Sequence, residues 1–216
     1  MQHHRTLVVN VLLSVLAVLT GAAWAGRPLG VDDANIDDKG TGHVEAWFSR
    51  EAGSANVFNV APAYSPWEAV ELSGQLTRDR TNSVTLSALL ARARITESRP
   101  SGCNVLVALG AQHANPGGNQ PFGYTALTCN RGEFALHANL GAAKPSGGSS
   151  YGTWGIALER DHGDLVGHVE AFGQEGVGPT FQVGARKSVA RNWQIDGTVG
   201  RTAGDTIFSV GFKVDF

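Results

Sequence analysis

The sequence predicts an all-β protein, specifically a closed antiparallel transmembrane β-barrel that follows a cleaved export signal. Three observations support this prediction. Apolar and polar residues alternate with period two from His43 to the last residue, which is the pattern of strands. No segment after Gly26 shows the i, i+3, i+4, i+7 recurrence of an amphipathic helix. The chain also begins with an apolar stretch and ends on the aromatic residue Phe216.

The first 25 residues are typical of an export signal. Arg5 is followed by an apolar stretch between Thr6 and Thr20, and Ala23-Trp24-Ala25 then matches the small-residue cleavage pattern. The apolar stretch is shorter than the roughly 20 residues that a membrane-spanning helix needs. We therefore expect residues 1–25 to be removed as a signal peptide rather than kept as an anchor.

Removal of residues 1–25 from a chain of 216 leaves 191 residues, which is the size of one domain. The formal net charge of −2 becomes −3 without Arg5, so no basic surface for nucleic acid is expected. We predict a periplasmic N-terminal segment over residues 26–41 and an outer-membrane barrel over residues 42–216, in a Gram-negative bacterium.

Twelve alternating segments can be counted, each close to the 9–11 residues of a tilted membrane strand. They are 42–50, 56–64, 67–78, 83–95, 103–112, 121–130, 132–142, 150–160, 164–174, 178–187, 192–202 and 205–216. An even number is the rule for single-chain bacterial barrels and places both ends on one side, here the periplasmic side. Eight or ten strands remain possible if weak N-terminal segments are loops. Longer outer loops are expected at residues 112–120 and 143–150.

The last strand carries large apolar residues on one face and ends on an aromatic residue. These residues are Phe208, Val210, Phe212, Val214 and Phe216. The pattern resembles the C-terminal strand that the barrel-assembly machinery of Gram-negative bacteria recognises. The resemblance implies that these five residues form an assembly signal, with that machinery and the outer-membrane lipids as partners.

The opposite face of the strands carries more ionisable groups than a dry core would hold. We therefore predict that these side chains line a lumen, while the apolar face meets lipid. The candidates are Glu45, Glu71, Arg92, Arg94, His137, Glu159, His168, Glu170, Arg186, Asp196 and Lys213.

The fourth segment departs from this rule, because Val84 and Leu86 share a parity with Arg92 and Arg94. An arginine that faces the bilayer midplane costs about 2–4 kcal/mol. We therefore predict a β-bulge near Ala88-Leu89-Leu90 that turns both arginines inward. The alternative is that the arginines lie at the membrane interface and extend their charged ends into water.

Cys103 and Cys129 flank the sequence Pro116-Gly117-Gly118 almost symmetrically, which places them nearly opposite each other on neighbouring antiparallel strands. Thiols beyond the inner membrane are usually oxidised, so the pair predicts one structural disulfide. A catalytic thiol or a metal pair is the alternative, but no CxxC spacing supports it.

No cofactor or metal is expected. Asp32, Asp33, Asp37 and Asp38 lie close together and could in principle bind a divalent cation. The sequence favours a solvated acidic tail, or a segment folded into the periplasmic mouth of the barrel.

The start of the predicted mature chain reads Arg27-Pro28-Leu29-Gly30-Val31-Asp32-Asp33-Ala34 and continues from Lys39 to Trp47 as KGTGHVEAW. It resembles the opening of a family of outer-membrane transporters, whose members begin R-P-hydrophobic-x-[TV]-[DE]-D-A. That family includes proteins linked by name to the meta-pathway of phenol degradation. The ending, from Asp196 to Phe216, is similar to the closing hairpin of such barrels. The resemblance implies fold and location more firmly than substrate.

The function predicted from these features is a narrow channel or transporter for small solutes, without indication of which solute. One alternative is an outer-membrane enzyme that modifies lipids, which would need a Ser–His or Asp–His pair. The sequence pairs no serine with His113, His137, His162 or His168, so we do not expect an enzyme. The other alternative is a purely structural barrel.

Overall fold

In the computed structural model, which describes residues 29–216, twelve antiparallel strands close into a single barrel. The predicted signal peptide lies outside the described residues. The strands are β1 Gly42–Glu51, β2 Ser54–Trp67, β3 Val70–Asp79, β4 Val84–Arg94, β5 Gly102–Asn115, β6 Gly118–Arg131, β7 Phe134–Ala143, β8 Tyr151–Asp161, β9 Leu165–Gln174, β10 Thr180–Ala190, β11 Trp193–Thr202 and β12 Asp205–Asp215. The predicted fold class and strand number are confirmed. Within residues 29–216, no helix has the length and apolar character to span a bilayer.

The first strand begins and the last strand ends at the same end of the barrel, here called the terminal end; the opposite end is the far end. Residues 95–101 form the longest connection at the terminal end, and residues 144–150 the longest at the far end. The longer loop predicted at residues 143–150 is therefore present, but the terminal end has a connection of the same length.

The loop predicted at residues 112–120 is wrong. Strand β5 runs on to Asn115 and β6 begins at Gly118, so Pro116 and Gly117 alone connect them. Gln112 pairs with Gln120 and His113 with Asn119 in a continuous register. Polar residues occupy both faces here, with Gln112 and Gln120 buried inside and His113 and Asn119 exposed outside, so this stretch lacks the alternation that marks a strand in the sequence.

The predicted β-bulge near Ala88 is also wrong. The registers of β4 with β3 and with β5 run without interruption from one end of the strand to the other. Val84, Leu86 and Leu90 are buried on the same inward face as Arg92. Apolar residues are stable there because they pack on other buried groups: Leu90 joins a cluster with Ala34 and Leu106.

Apart from these buried apolar residues, the two faces of the sheet differ in the way predicted for a membrane barrel. Leu89, Leu109 and Leu140 point outward and are 74, 73 and 72 % exposed. Polar residues such as Glu71 and His137 are buried on the inner face. A protein in water would reverse this arrangement, whereas an outer surface in lipid favours it.

Cys103 and Cys129 are directly opposite in the β5–β6 register and form a disulfide bond. The predicted disulfide is confirmed. Its position follows from the hairpin: once β5 and β6 pair around Pro116 and Gly117, the two cysteines lie equally far from the turn.

The barrel closes where β12 pairs with β1, from His43 opposite Asp215 to Arg50 opposite Phe208. Phe216 extends this ladder: its N–H donates to the Gly42 oxygen at 2.8 Å, and its own oxygen accepts from the Gly42 N–H at 2.9 Å. The ring of Phe216 also lies over Gly42, where a Cβ would come within 3.0 Å of the ring. The last residue therefore completes the closing seam.

The assembly signal remains a prediction, and Phe216 provides its test. Replacing Phe216 with Asp should lower the amount of folded barrel in the membrane, because a charge would lie where the ring packs on the seam. The measurement is the fraction that shows heat-modifiable migration on gels. Phe181→Asp is the matched control, because Phe181 is also an exposed phenylalanine, 59 % against 65 % for Phe216, but lies away from the seam. Equal loss in both variants would assign the effect to the charge alone.

Candidate functional site in the barrel lumen

Residues 29–41, here called the N-terminal segment, run from the terminal end, where residues 38–41 are exposed, into the inside of the barrel. The segment enters at the terminal end, where the Gly40 N–H donates to the Ser65 oxygen at 2.8 Å. Leu29, Val31 and Ala34 are fully or almost fully buried, and Asp32 is 3 % exposed. A solvated acidic tail is therefore the wrong description of this segment. The alternative expectation, a segment folded into the mouth, is closer, but the segment reaches further inward.

Asp32 is the most heavily bonded residue of the segment. Its carboxylate accepts a hydrogen bond from Arg92 Nη2 of β4 at 2.8 Å and one from the Tyr124 hydroxyl of β6 at 2.5 Å. Its backbone N–H donates to Asn139 Oδ1 of β7 at 2.6 Å, and its backbone oxygen accepts from Asn139 Nδ2 at 2.8 Å. Three strands thus hold one residue, at both its side chain and its backbone.

The backbone on either side of Asp32 is held by one further strand, β9, and again by β6. Glu170 of β9 accepts hydrogen bonds from the N–H groups of Gly30 and Val31 at 2.7 and 2.8 Å. Thr128 of β6 accepts from the Ala34 N–H at 2.8 Å. Strands β4 and β9 lie nearly opposite each other in the ring of twelve. The segment therefore crosses the lumen.

Apolar contacts add to these polar ones. Leu29 and Val31 pack with Ala157 and Phe172, and Ala34 packs in the cluster that contains Leu90. A Cβ on Gly30 would lie 2.5 Å from the Phe172 ring, so only glycine fits between that ring and the Glu170 carboxylate. Residues 29–34 of the segment are therefore packed as part of the interior.

Arg92 supplies the positive charge for this arrangement. Besides Asp32, it donates to Glu71 Oε1 at 2.8 Å and to the backbone oxygen of Asp33 at 2.8 Å. Burial raises the pKa of Asp32 to about 7, although the Arg92 guanidinium opposes this effect. Without that guanidinium, the two carboxylates would be buried with no cation beside them.

A second polar cluster lies on strands β7 to β10. Arg186 donates to both carboxylate oxygens of Glu159, with Nη2 at 2.9 Å from Oε2. His137 Nε2 lies 3.4 Å from the same oxygen. Gln182 Nε2 donates to Glu170 Oε1 at 2.6 Å, and His168 Nε2 lies 3.5 Å from that atom. Glu170 thus joins this cluster to the N-terminal segment.

The remaining predicted lumen residues lie outside these two clusters. Glu45 is buried, with Oε1 at 3.9 Å from His43 Nε2, and Asp196 is buried on β11. Lys213 is half-buried, with Nζ 3.0 Å from Asp215 Oδ1. Arg94 is half-buried at the end of β4. Asp32, Tyr124 and Thr128 also lie in the lumen but were not among the residues predicted from the sequence. The sequence signal that could have placed the segment in the lumen is the presence of apolar residues, such as Val31 and Ile36, among its acidic ones.

Asp37, His43 and Glu71 bring potential metal-ligand atoms within 4.8 Å of one another. His43 Nδ1 donates to Asp37 Oδ2 at 2.6 Å, whereas Glu71 pairs with Arg92. Burial acts to raise the pKa of Asp37, but the hydrogen bond from His43 and the nearby positive charges together outweigh it, so this pKa is lowered. The first contact connects the segment to β1, and Arg92 links Glu71 of β3 to Asp32 of the segment. The group therefore acts as an anchor for the segment.

Two cavities of about 130 Å³ each adjoin the segment. The terminal cavity is charged: its lining includes Asp33, Asp37, His43, Glu45, Glu71, Arg92 and Lys213. The far cavity lies on the far-end side of Asp32 and is lined mainly by amides and aromatic rings, including Gln112, Gln120, Phe122, Tyr124, Asn139, Tyr151 and Phe172. Gly30 and Asp32 line it on the side of the segment.

The family comparison covers nearly the whole barrel, because residues 14–214 match one family model. The chain belongs to the family "Uncharacterised conserved protein UCP029691". This match does not name the family of the meta-pathway of phenol degradation, so that finer resemblance is not confirmed. No curated protein matches the sequence.

Solved structures with a similar fold include three porins or channels. The chain is similar to the KdgM porin with 12 % identity, covering 81 % of this chain and 99 % of that one, at a TM-score of 0.71. The COG4313 outer membrane channel from Pseudomonas putida F1 is 10 % identical, and the match covers 85 % of this chain and 98 % of that one at a TM-score of 0.64. The NanC porin is 8 % identical, and the match covers 80 % of this chain and 98 % of that one at a TM-score of 0.60. At these identities the likeness establishes the fold, which is that of outer-membrane porins.

The role of Arg92 can be tested by replacing it with Met. We expect destabilisation of about 3–5 kcal/mol, because Asp32 and Glu71 would stay buried without their cation. Equilibrium unfolding in detergent micelles measures the loss, and faster hydrogen exchange at Val31 and Ala34 would show that the segment has loosened. The control is Arg160→Met: Arg160 pairs with Glu133 at the surface, where both are more than half exposed, and about 0–1 kcal/mol is expected. Equal losses would contradict the role assigned to Arg92.

Proposed function

We propose that this protein is an outer-membrane channel for small solutes, and that its own N-terminal segment restricts the passage. The observation that carries the proposal is a closed barrel with charged and polar side chains inside and large apolar side chains outside. Two cavities on different sides of the segment mark where solute would enter and leave. The fold, shared with porins and channels, supports the same function.

The charged residues suggest how such a channel would select its solutes. Basic and acidic side chains face each other in pairs, Arg92 with Glu71 and Arg186 with Glu159. Fixed charges of both signs in a narrow lumen discriminate solutes by charge and size. In this proposal, passage requires residues 30–34 to move away from Glu170 and Thr128, so the closed arrangement is the resting one.

The proposal places the barrel in the bacterial outer membrane, with the terminal end towards the periplasm. The lipid environment and the barrel-assembly machinery would be its partners. The N-terminal segment would then enter from the periplasmic side after removal of residues 1–25. A link to the transporters named for phenol degradation remains an expectation from the sequence.

A lipid-modifying enzyme is the weaker candidate. Such an enzyme needs a nucleophile activated by a histidine at the membrane surface. Hydrogen bonds and close contacts join His43 to Asp37, His113 to Asn119 and His137 to Thr128 and Glu159. These contacts hold the segment, a hairpin and a lumen cluster, which favours structural roles for the histidines.

Location is tested by fractionating cells that express the full chain. We expect the protein in the outer-membrane fraction, with migration on gels that changes on heating, because a barrel without a free edge resists detergent until it is heated. Recovery in the soluble periplasmic fraction would contradict the proposal.

Planar-bilayer recording tests the restriction. The mature protein should conduct weakly, and a variant that lacks residues 29–36 should conduct several-fold more, because the crossing segment is gone. Glu170→Leu should also increase conductance, since the Gly30 and Val31 amides lose their acceptor. Glu133→Leu is the matched control, because Glu133 is exposed at a turn. If all four proteins conduct equally, the segment does not restrict the passage.

A further inference from the structure

The far cavity differs from the rest of the lumen in its chemistry. Four side-chain amides line it: Gln112, Gln120, Asn139 and Gln174. The aromatic side chains on its inward-facing wall are Phe122, Tyr124, Tyr151 and Phe172. Among the described residues of this lining, the carboxyl group of Asp32 is the single acidic group, no lysine or arginine occurs, and Arg92 and Tyr124 already bond that carboxyl group. The cavity is therefore polar without offering a free charge to a ligand.

One pair of amides in this cavity has unused hydrogen-bonding atoms. Gln112 and Gln120 are opposite each other in the β5–β6 register and are 4 and 5 % exposed. Gln120 Nε2 donates to the Tyr151 hydroxyl at 2.9 Å. Gln112 Nε2 and Gln120 Oε1 are buried and have no hydrogen-bond partner within residues 29–216. Burying an amide donor or acceptor unpaired costs free energy, so the pair favours a ligand that satisfies both atoms.

A hydroxyl group meets that requirement. It accepts one hydrogen bond and donates another, so a single ligand hydroxyl can accept from Gln112 Nε2 and donate to Gln120 Oε1. A carboxylate or phosphate offers no donor and would lose its hydration without a cation in the cavity wall. An ammonium group offers no acceptor for Gln112 Nε2. The aromatic rings complete the lining, as in most small-molecule sites, with apolar surface beside a few placed polar groups.

We propose that the far cavity binds a neutral polyhydroxylated solute of the size of a hexose, held through the Gln112–Gln120 pair between aromatic side chains. This inference rests on the proposed channel function and names the class of solute. The charged terminal cavity lacks this combination, because its lining mixes acidic residues with Arg92 and Lys213. Selection by hydroxyl groups would then occur in the far cavity.

Equilibrium dialysis of the mature protein in detergent micelles against labelled D-glucose tests the proposal. Saturable binding is expected, with a dissociation constant of about millimolar order. Gln112→Leu and Gln120→Leu should each weaken it by about tenfold or more, because one partner of the ligand hydroxyl is lost and the other stays unpaired. Gln194→Leu is the matched control, as Gln194 lies on β11 outside the lining of both cavities. Heat-modifiable migration checks that each variant is folded.

Competition on the unaltered protein gives a readout that needs no variant. Unlabelled D-glucose should displace the label more effectively than D-gluconate or D-glucosamine, which carry a negative and a positive charge. The proposal would be overturned if either charged compound displaced the label more strongly than glucose does. It would also be overturned if no saturable binding occurred over the millimolar range, because the amide pair would then bind water alone. Dialysis measures binding and does not require a solute to pass through the barrel. A protein that conducts but does not bind glucose would therefore support the channel function and contradict this inference.

Discussion

Pairing of β12 with β1 closes the sheet, and the rest of the structure depends on that closure. A sheet with two free edges would present unpaired backbone N–H and C=O groups, each of which costs several kcal/mol in hydrocarbon. The ring of twelve leaves no such edge. Gly42 and Phe216 carry the pairing to the terminal end of the barrel, through two backbone hydrogen bonds. Closure also divides the alternating side chains into an outer set and an inner set, with different surroundings.

The inner set creates a requirement of its own, because charges removed from water need partners. Strands β8 and β10 meet it by pairing Glu159 with Arg186. On the other side, Arg92 of β4 and Glu71 of β3 pair, and Asp32 of the N-terminal segment joins them. The backbone N–H groups of the segment in turn need acceptors, and Glu170 accepts hydrogen bonds from two of them. The segment and the barrel therefore complete each other's hydrogen bonding.

The segment also separates two environments within one lumen. Towards the terminal end, acidic groups lie beside Arg92 and Lys213; towards the far end, amides and aromatic rings predominate. Asp32 and its neighbours lie between the two. In the proposed channel, a solute would meet hydrogen-bonding groups without free charge on one side, and charges of both signs on the other. Size, hydrogen bonding and charge would thus be sampled at different depths.

Local sequence patterns determined much of this fold. Period-two alternation marks each strand, because successive side chains point to opposite faces whatever the rest of the chain does. Hairpin neighbours are close in sequence, so Cys103 and Cys129 could be placed opposite each other from their distances to Pro116. The alternation also assigned Glu71, Glu159 and Arg186 to the polar face. It failed for Val84 and Leu86, because apolar residues on an inner face are stable only where other buried groups cover them.

The tertiary structure alone decided the position of the N-terminal segment and hence the division of the lumen. Asp32 meets Tyr124 across 92 residues and Asn139 across 107, while Gly30 meets Glu170 across 140. No local periodicity encodes contacts over such distances. They exist because the closed ring brings β4, β6, β7 and β9 around one axis, where a short chain with one buried acid can reach all of them. The sequence by itself determined the strands, their faces and the disulfide; closure of the barrel determined what the inner face encloses.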